Sequence, residues 1–554
     1  MKRLTLILSL LFFTAVYTDY SHGGDQKSVI RVNQLGFLEK DVKRAIISSN
    51  SRLDGNKFFI KDLQKNTVVF DGKIGPVVAG VERQSSFGFN YVLEFTALET
   101  VGSYRIELED KTISPSFKIN NNVYAKVIDG LLYFLRVARC GNTSAELHKP
   151  CHLFDATNSE LDLTGGWHDA GDYLKFTRSI AYVTYTLLLS YDVSKPNVSQ
   201  YFSDLDQDGI ADVLEEAKIG LDYLINVYPD PETFVYIVGD RADHLQGVRM
   251  PEDDKLAKTK RPAWFGFRRN VLSQYAFAMA LASTVFEEIP QYSKNAKQYL
   301  SLAKRAYSKA QSVEKEHYDK LCLAATELYR ATQDTKYLSE AKAFNDKLSV
   351  GHWGNWADNT LLAHARLGEF YAPAAKKLRD SVAIFYNLSN KHLFGYNTAY
   401  TFSGLYAAIT TGSAGWFYEL LSNDDSYADL PTRIRDYLLG TNPWGICFIS
   451  GFGTNYPKNI HNRLAQSLKK AGVLENGTIK GAIPGGPVKP AEWEKRWNDL
   501  VPEGEDINVE LHPPEAVYFD HFRAYPTNEA SIYGPSEAIL FFSFYLRYLS
   551  DTPN

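Results

Sequence analysis

The sequence predicts a small all-β sandwich followed by a large toroid of paired helices, and two patterns support this fold. Residues 28–119 contain short runs of alternating polarity, such as SVIRVNQLGF, KFFIKDL and NYVLEF, separated by Gly, Asn and Asp turn signals. Short strands at this spacing are typical of a β-sandwich. From Val123 onward, apolar residues recur at positions i, i+3, i+4 and i+7, which indicates helices. Many helical segments without intervening strands favour helical hairpins closed into an α/α toroid over a simple bundle.

These patterns divide the chain into three regions. Two basic residues precede an apolar run at the N-terminus, as in a secretory signal peptide, which we place at residues 1–22. We expect the sandwich over residues 28–119 and the helical domain over residues 123–551, with the polar stretch NNNVYAKV at the junction. No second apolar run is long enough to cross a bilayer. We therefore expect a secreted or periplasmic protein without a transmembrane segment.

The composition excludes some classes of partner. The formal net charge is −5, and no block of five or six like charges occurs, so nucleic acids and anionic membranes are not expected partners. Aromatic residues make up 14% of the chain, an excess that is common in sugar-binding clefts, although simple packing explains most rings. The four cysteines are too few for a disulfide scaffold in an exported protein of this size. We expect a monomer.

The stretch GGWHDAGDYLKF contains two aspartates three residues apart, Asp169 and Asp172. Carboxylates at this spacing lie on one side of a turn, so one can hold a water molecule while the other orients it or shifts its pKa. Alone, this pattern most often marks a solvated turn. The flanking Gly-Gly-Trp and Tyr provide a tight backbone and aromatic walls, which favour a buried polar site. A general base at such a site needs an acid opposite it.

Candidates for the acid and for ligand contacts lie towards the C-terminus. Glu529 begins the last helical segment after a loop rich in Tyr, Phe and Pro, and two carboxylates from distant parts of a chain are what glycoside hydrolysis uses. The Gly-, Asn- and Pro-rich stretch 438–463 ends in His461 and Arg463, which can both donate hydrogen bonds to hydroxyls. The aromatic residues that could either stack on a sugar ring or pack in the core are Trp264, Trp353, Trp356 and Tyr518.

Two groups of residues are candidate metal ligands. The two thiolates and two imidazoles of the first group satisfy a closed tetrahedral zinc site: Cys140, Cys151, His152 and His168. Their spacing is not that of a zinc finger, so buried free thiols are the alternative. Four protein ligands leave no open position for water, which argues for a structural ion rather than a zinc hydrolase.

The second group lies in DLDQDGIADVLE, which matches the calcium loop D-x-D-x-D-G-x5-E in full. Calcium requires such hard oxygen ligands around a sharp turn. The alternative is an acidic helix N-terminus that binds no ion. The predicted calcium ligands are Asp204, Asp206, Asp208, Ile210, Asp212 and Glu215.

Three motifs occur in an order that points to a known enzyme family. GGWHDAGDY, then G-F-G-x-N-x4-I-H-x-R, then Y-x-D-x4-Y-x3-NEA resemble the motifs of glycoside hydrolase family nine, the inverting cellulase family. The N-terminal VIRVNQLGF resembles the immunoglobulin-like module that precedes the catalytic domain in one branch of that family. The resemblance implies an N-terminal immunoglobulin-like β-sandwich followed by an all-α (α/α)6 barrel.

The resemblance also implies roles for individual residues. Asp172 would be the general base that deprotonates the attacking water, Asp169 would help to hold that water, and Glu529 would be the general acid. His461 and Arg463 match positions that contact sugar hydroxyls. The four predicted zinc ligands match positions that bind zinc in some members of the family, which favours zinc over free thiols.

We therefore expect an inverting hydrolase of β-1,4-linked glucan, with endoglucanase as the leading activity. The nearest alternative is an exo-acting β-glucosidase or cello-oligosaccharide hydrolase of the same family, and a more distant one is a non-catalytic carbohydrate-binding protein. The sequence departs from the family pattern twice: Cys447 replaces the usual Ser, Thr or Val, and Gly534-Pro535 replaces an aromatic–Asn pair after the acid. The second departure leaves the sugar contacts beside Glu529 open.

Overall fold

The computed structural model of the protein describes residues 28–195, 202–256, 261–313, 316–352 and 354–551. The predicted signal peptide and the predicted sugar-binding residue Trp353 lie outside the described residues.

Eight strands form two sheets at the start of the described chain. They are β1 (Ser28–Val32), β2 (Gly36–Phe37), β3 (Arg44–Ser49), β4 (Lys57–Asp62), β5 (Thr67–Lys73), β6 (Phe89–Glu94), β7 (Gly102–Leu108) and β8 (Phe117–Ile119). One sheet has the order β1-β3-β6 and the other β2-β8-β7-β4-β5. Alternate residues of both sheets, such as Ile47 and Ile106, are fully buried in a shared apolar core, which confirms the predicted β-sandwich.

Helices dominate the rest of the chain. They are α1 (Ala125–Ala138), α2 (Thr177–Ser194), α3 (Asp212–Val227), α4 (Arg241–Leu245), α5 (Arg269–Glu287), α6 (Ser293–Ser312), α7 (Tyr318–Thr332), α8 (Thr335–Asn345), α9 (Thr360–Gly368), α10 (Ala372–Lys391), α11 (Gly404–Ser422), α12 (Asp429–Leu438), α13 (Arg463–Lys470), α14 (Pro490–Arg496), α15 (Tyr525–Asn528) and α16 (Tyr533–Asp551). A small antiparallel sheet, in the order β11-β10-β9, joins β9 (Lys175–Phe176), β10 (Val235–Val238) and β11 (Ala263–Phe265).

Twelve of these helices close into two concentric rings. The inner helices α2, α5, α7, α9, α11 and α16 each contact the next one, and α16 contacts α2 to close the ring. Each inner helix also packs against an outer partner, in the pairs α2–α3, α5–α6, α7–α8, α9–α10, α11–α12 and α16–α1. Inner helices such as α2 and α5 are buried around nearly their whole circumference, as expected for helices inside a second layer. This arrangement confirms the predicted (α/α)6 barrel.

The sandwich supports the loop that leads to the predicted His461–Arg463 motif. The side-chain oxygen of Gln34 accepts hydrogen bonds from the backbone amides of Thr454 at 2.8 Å and Asn455 at 2.9 Å. Its amide nitrogen donates to the carbonyl of Gly445 at 2.8 Å. One sandwich residue therefore satisfies several backbone groups of a long loop that has no regular secondary structure of its own.

Among the described residues, no helix is both long and apolar enough to span a membrane.

Candidate active site

Three distant segments meet where the predicted catalytic residues lie. They are the loop between α1 and β9, the segment after Glu529 and the start of α13. In the loop, the amide of His168 donates to the carbonyl of Ala138 at 2.8 Å. The amide of Ile532 donates to the carbonyl of Asp169 at 3.0 Å, and the amide of Arg463 donates to the carbonyl of Gly171 at 3.0 Å. Backbone hydrogen bonds thus tie this loop to the segment after Glu529 and to the start of α13. The structure brings the predicted aspartates, Glu529, His461 and Arg463 together.

Gly171 is the contact point between the loop and the predicted acid. Its amide donates to Oε1 of Glu529 at 3.2 Å. A Cβ atom at this position would lie 2.6 Å from the carbonyl oxygen of His461 and 2.9 Å from Glu529 Oε1. Only glycine therefore allows the two chain segments to approach this closely.

We expect Gly171→Ala to lower kcat by about 100-fold, because displacing a reacting group by about 1 Å has an effect of this size. The measurement is steady-state hydrolysis of cellohexaose together with a thermal unfolding curve. Gly247→Ala is the matched control, since a Cβ there meets nothing within 4 Å, and it should retain activity within about twofold. Full activity of Gly171→Ala would show that the close approach to Glu529 is not needed.

Glu529 directly follows α15 and is partly buried. Burial and the charge of Asp172 raise the pKa of Glu529 to about 8, although the hydrogen bond from Gly171 acts in the opposite direction. A glutamic acid with this pKa is protonated at neutral pH. It can therefore donate a proton to a leaving group, as a general acid must.

Asp172 has the opposite electrostatic environment. Burial alone would raise its pKa, but the hydrogen bond and charge of His244 and the charge of Arg463 bring it below the usual value. Its Oδ1 accepts a hydrogen bond from the amide of Leu174 at 3.1 Å, and its Oδ2 contacts Nδ1 of His244. Asp172 therefore stays ionised and can accept a proton from water.

His244 is a site residue that the sequence analysis missed. It belongs to α4, its side chain is 54% exposed, and Asp172 raises its pKa. The only local signal is an Asp-His pair after a strand and a glycine, in VYIVGDRADH. Nothing in that spacing indicates that the fold brings α4 next to Asp172.

Asp169 lies on the side of the site formed by α16. Its Oδ1 accepts a hydrogen bond from the hydroxyl of Tyr533 at 3.1 Å. Burial raises the pKa of Asp169 to about 6, against the effects of Ser179 and Arg178. The two aspartates thus differ in ionisation although they are only three residues apart.

His461 and Arg463 differ in their surroundings. The Nδ1 of His461 donates to the carbonyl of Phe522 at 2.7 Å, and the two rings are stacked; this fixes the ring beside Glu529. All three guanidinium nitrogens of Arg463 have protein partners. They are the Gln246 carbonyl at 3.0 Å, the His244 carbonyl at 2.9 Å and Asp243 Oδ1 at 3.1 Å.

The predicted sugar-stacking residues occupy different environments. Trp264 is 46% exposed on β11, where its ring is available to a ligand. Trp356 is partly buried, stacks on Tyr533 at a centroid distance of 5.1 Å and lies against the guanidinium of Arg178. The prediction for Tyr518 is wrong, because its ring is fully buried and its hydroxyl donates to Asn528 at 2.7 Å.

The four predicted zinc ligands come together directly behind the loop that carries the aspartates. All four side chains are buried, and their ligand atoms lie within 4.8 Å of one another. The Nε2 of His152 bonds to Asp254 at 2.8 Å, while its Nδ1 faces Nε2 of His168 at 3.1 Å. A carboxylate behind a ligating histidine is the usual outer-shell arrangement of a zinc site. This donor set fits a closed zinc site, and His168 would anchor Asp169 through the chain.

The predicted calcium loop forms only in part. Asp204, Asp206 and Asp208 are exposed and place carboxylate oxygens within 4.8 Å of one another. Asp212 does not join this group, because its Oδ2 pairs with Arg136 at 2.7 Å and its Oδ1 accepts from the amide of Leu205 at 3.0 Å. Glu215 is not one of the three grouped carboxylates, although burial and the charges of Asp206 and Asp208 raise its pKa to about 6.

Comparison with known proteins finds relatives over most of the chain. The sequence profile of glycosyl hydrolase family 9 matches residues 124–541, and that of the cellulase N-terminal ig-like domain matches residues 25–112. A cellodextrinase from Butyrivibrio fibrisolvens is 26% identical, over 92% of this chain and 98% of its own. A xyloglucan-specific endo-beta-1,4-glucanase from Bacteroides ovatus is 24% identical, over 91% of each chain.

A solved structure has the same fold. The crystal structure of a metagenome-derived glycoside hydrolase family 9 endoglucanase superposes with a TM-score of 0.77 at 21% identity, covering 94% of this chain and 99% of that one. The profile match extends over most of the chain and includes every predicted catalytic residue. The chain therefore belongs to glycosyl hydrolase family 9.

Proposed function

We propose that this enzyme hydrolyses β-1,4-glucosidic bonds in cellulose or a related β-glucan with inversion of configuration. The observation that carries the proposal is that two carboxylates with different partners meet in one site: Glu529 accepts from the amide of Gly171 at 3.2 Å, whereas Asp172 contacts His244 and lies 3.8 Å from Arg463. Burial and the charge of Asp172 raise the pKa of Glu529 to about 8, whereas His244 and Arg463 outweigh burial and lower that of Asp172. Groups whose pKa values are separated in this way are suited to act as acid and base. The curated relatives that act on such glucans support this substrate class.

In this proposal Glu529 protonates the oxygen of the leaving sugar while Asp172 removes a proton from the attacking water. Asp169 holds that water on the opposite face of the sugar, in a single displacement. His244, 54% exposed and adjacent to Asp172, presents a donor to sugar hydroxyls. The fixed ring of His461 presents Nε2 as an acceptor, because its Nδ1 proton goes to the carbonyl of Phe522 and burial lowers its pKa. Trp264 offers an exposed ring on which a sugar can stack.

We propose endoglucanase as the activity, with an exo-acting cello-oligosaccharide hydrolase as the alternative that the cellodextrinase relative favours. Hydrolysis of cellohexaose with product sizing distinguishes them. Early release of cellotriose, which comes from cleavage at the central bond, is expected for the endo enzyme. Glucose with cellopentaose, or cellobiose with cellotetraose, as the only early products would contradict it. Proton NMR of the first product should show the α-anomer, because the mechanism inverts a β-linkage.

The pH profile of kcat/KM should fall above about pH 8, because Glu529 with a pKa of about 8 then loses its proton. Asp169, with a pKa of about 6, ionises as the pH rises through 6, so activity should increase there. Asp172 is already ionised at that pH, since its pKa lies below the usual value. The control is Asp169→Asn, which should remove the step near pH 6 and keep the alkaline limb. An alkaline limb below pH 6 would contradict Glu529 as the acid.

We propose zinc at the four-ligand group and calcium at the Asp204–Asp208 turn, both as structural ions. Removal of metal by a strong chelator should lower the Tm by about 5 °C or more, because structural zinc stabilises the folded chain by several kcal/mol. Zinc should restore most of this loss and calcium the remainder, as followed by thermal unfolding. Cys151→Ser should abolish the response to zinc and keep the response to calcium. An unchanged Tm after complete removal of metal would contradict both ions.

We also propose that the protein is exported as a monomer after cleavage near residue 22. The basic and apolar N-terminal pattern supports export. N-terminal sequencing of the mature protein and light scattering after size-exclusion chromatography test these two statements. An intact Met1 would contradict the cleavage, and a dimer mass would contradict the monomer.

A further inference from the structure

Asp243 is a buried carboxylate directly behind the proposed base. It lies in α4 and is 0% exposed, so it does not reach the site where substrate would bind. Its Oδ1 accepts hydrogen bonds from the amide of Tyr173 at 3.1 Å and from Nη1 of Arg463 at 3.1 Å. Tyr173 is the residue that follows Asp172. One oxygen of Asp243 therefore holds two groups that flank the base.

The other oxygen of Asp243 faces two more cations. Oδ2 accepts from Nη2 of Arg249 at 3.0 Å and lies 3.4 Å from Nη1 of Arg261. Arg249 also pairs with Asp254, and Arg261 with Asp155. Asp243 is thus held by donors from several chain segments, and its position is fixed from both sides.

The placement of Arg463 determines what surrounds Asp172. The same Nη1 that donates to Asp243 lies 3.8 Å from Asp172 Oδ2. The other two guanidinium nitrogens donate to backbone carbonyls of α4 and the residue after it. Arg463 is therefore near enough to interact with the base by charge, but its direct hydrogen bonds go elsewhere.

We propose that Asp243 is a positioning residue for the base: it holds Arg463 and the backbone after Asp172, so that Arg463 does not form a direct ion pair with Asp172. The proposal rests on the proposed function, in which Asp172 accepts the proton of the attacking water. It adds a residue that never touches substrate and acts through Arg463.

Neutralising Asp243 would change the charged contacts of Asp172. Three guanidinium groups would lose a shared counter-charge, and Asp172 would become the nearest carboxylate to Nη1 of Arg463. A direct ion pair lowers the affinity of a carboxylate for a proton. Asp172 would then be a weaker base, while the sugar-binding surface would be unchanged.

The test is Asp243→Asn, which keeps the shape of the side chain and removes its charge. We expect kcat on cellohexaose to fall by about 10- to 100-fold, KM to stay within about twofold, and the step near pH 6 that reports Asp169 to remain. The charged groups around Asp172 and Asp243 are Arg249, Arg261, Arg463, His244, Asp169, Asp254 and Glu529.

A matched control separates positioning from stability. Glu327→Gln removes another buried carboxylate that pairs with an arginine, Arg366 at 2.7 Å, at a distant part of the barrel. It should lower the Tm by a similar amount and leave kcat within about twofold when both are assayed well below their Tm. Equal kcat values for the two variants would overturn the proposal.

Arg463→Lys keeps the proposal testable if Asp243→Asn does not fold. Lysine retains the charge but cannot donate to Asp243 and both carbonyls at once, so kcat should fall with little change in KM. A raised KM at constant kcat would instead make Arg463 a sugar contact. In the double variant the two losses should not multiply, because both act through one contact; independent losses would contradict the coupling.

A structure of Asp243→Asn gives a readout that does not depend on substrate. Arg463 Nη1 should be hydrogen-bonded to Asp172 in that variant, and an unmoved Arg463 would overturn the proposal even in an active enzyme. Failure of the wild type to cleave cellohexaose or cellulose, with Arg463 moved as expected, would instead overturn the proposed function alone.

Discussion

Replacing Glu529 by glutamine should lower kcat on cellohexaose by at least about 1,000-fold and at the same time stabilise the protein at neutral pH. The loss of activity follows from removing the proton that the leaving sugar must receive. Glutamine preserves the shape of the side chain and the acceptor for the amide of Gly171, which lies 3.2 Å from Oε1. Rates should therefore fall without a change in the fold.

The gain in stability follows from the sign of the pKa shift. Folding raises the pKa of Glu529 from 4.5 to about 8, so between these pH values the folded state binds more protons than the unfolded state. Stability then decreases with rising pH, by up to about 1.4 kcal/mol per pH unit for this group. Glutamine carries no charge at any pH and avoids this loss. The variant should exceed the wild type in stability at pH 7.5 and match it near pH 4.

Urea unfolding at pH 4 and pH 7.5 measures this difference, with cellohexaose hydrolysis as the activity assay. Glu494→Gln, at an exposed position, is the control. It should leave both the free energy of unfolding and the rate of cellohexaose hydrolysis nearly unchanged. If Glu529→Gln retained activity, the acid would have to be another residue. If it were less stable than the wild type at pH 7.5, the raised pKa of Glu529 would be wrong.

The fold followed from patterns that are local in sequence. Alternating runs predicted the sandwich, and the 3.6-residue periodicity predicted the helices. The closed ring followed from a property of the whole domain. Inner helices such as α2 are apolar on nearly all sides, so each of them needs packing neighbours on every side. Periodicity alone could not say which helix contacts which, because that depends on how α16 returns to α2.

The site was predictable only where residues lie in a motif. Asp169, Asp172 and Glu529 were found in this way, and the fold brings them together. His244 was missed because its contact with Asp172 crosses 72 positions of chain, a separation that no local pattern encodes. Arg463 was identified as a sugar contact, yet its hydrogen bonds go to α4 and the residue after it.

Contacts with distant residues explain the errors among the aromatic and acidic predictions. Tyr518 has the composition of a sugar platform but packs against Phe448 and Trp444 in the interior. Asp212 fits the calcium pattern but pairs with Arg136. In both cases the sequence supplied a suitable side chain, and a partner from a distant segment determined its use.

Asp172→Asn should lower kcat by about 1,000-fold, whereas Asp169→Asn should lower it by about 10- to 100-fold. Both changes preserve the shape of the side chain and differ in which charge they remove. Asp172 is surrounded by His244 and Arg463, so it is ionised across the working pH range. Asp169 accepts from Tyr533 and has a pKa of about 6, so it is partly protonated where the enzyme is expected to work.

The assignment of the base depends on which variant, Asp172→Asn or Asp169→Asn, loses more kcat on cellohexaose at pH 6 and pH 7.5. A pKa of about 6 would by itself make Asp169 the stronger base. Asp172 is nevertheless the better candidate, because the exposed His244 can turn to a bound sugar and release the Oδ2 that it now contacts. Asp172 would then regain proton affinity only when substrate is present, as a reacting group should. A larger loss for Asp169→Asn than for Asp172→Asn at both pH values would transfer the role of base to Asp169.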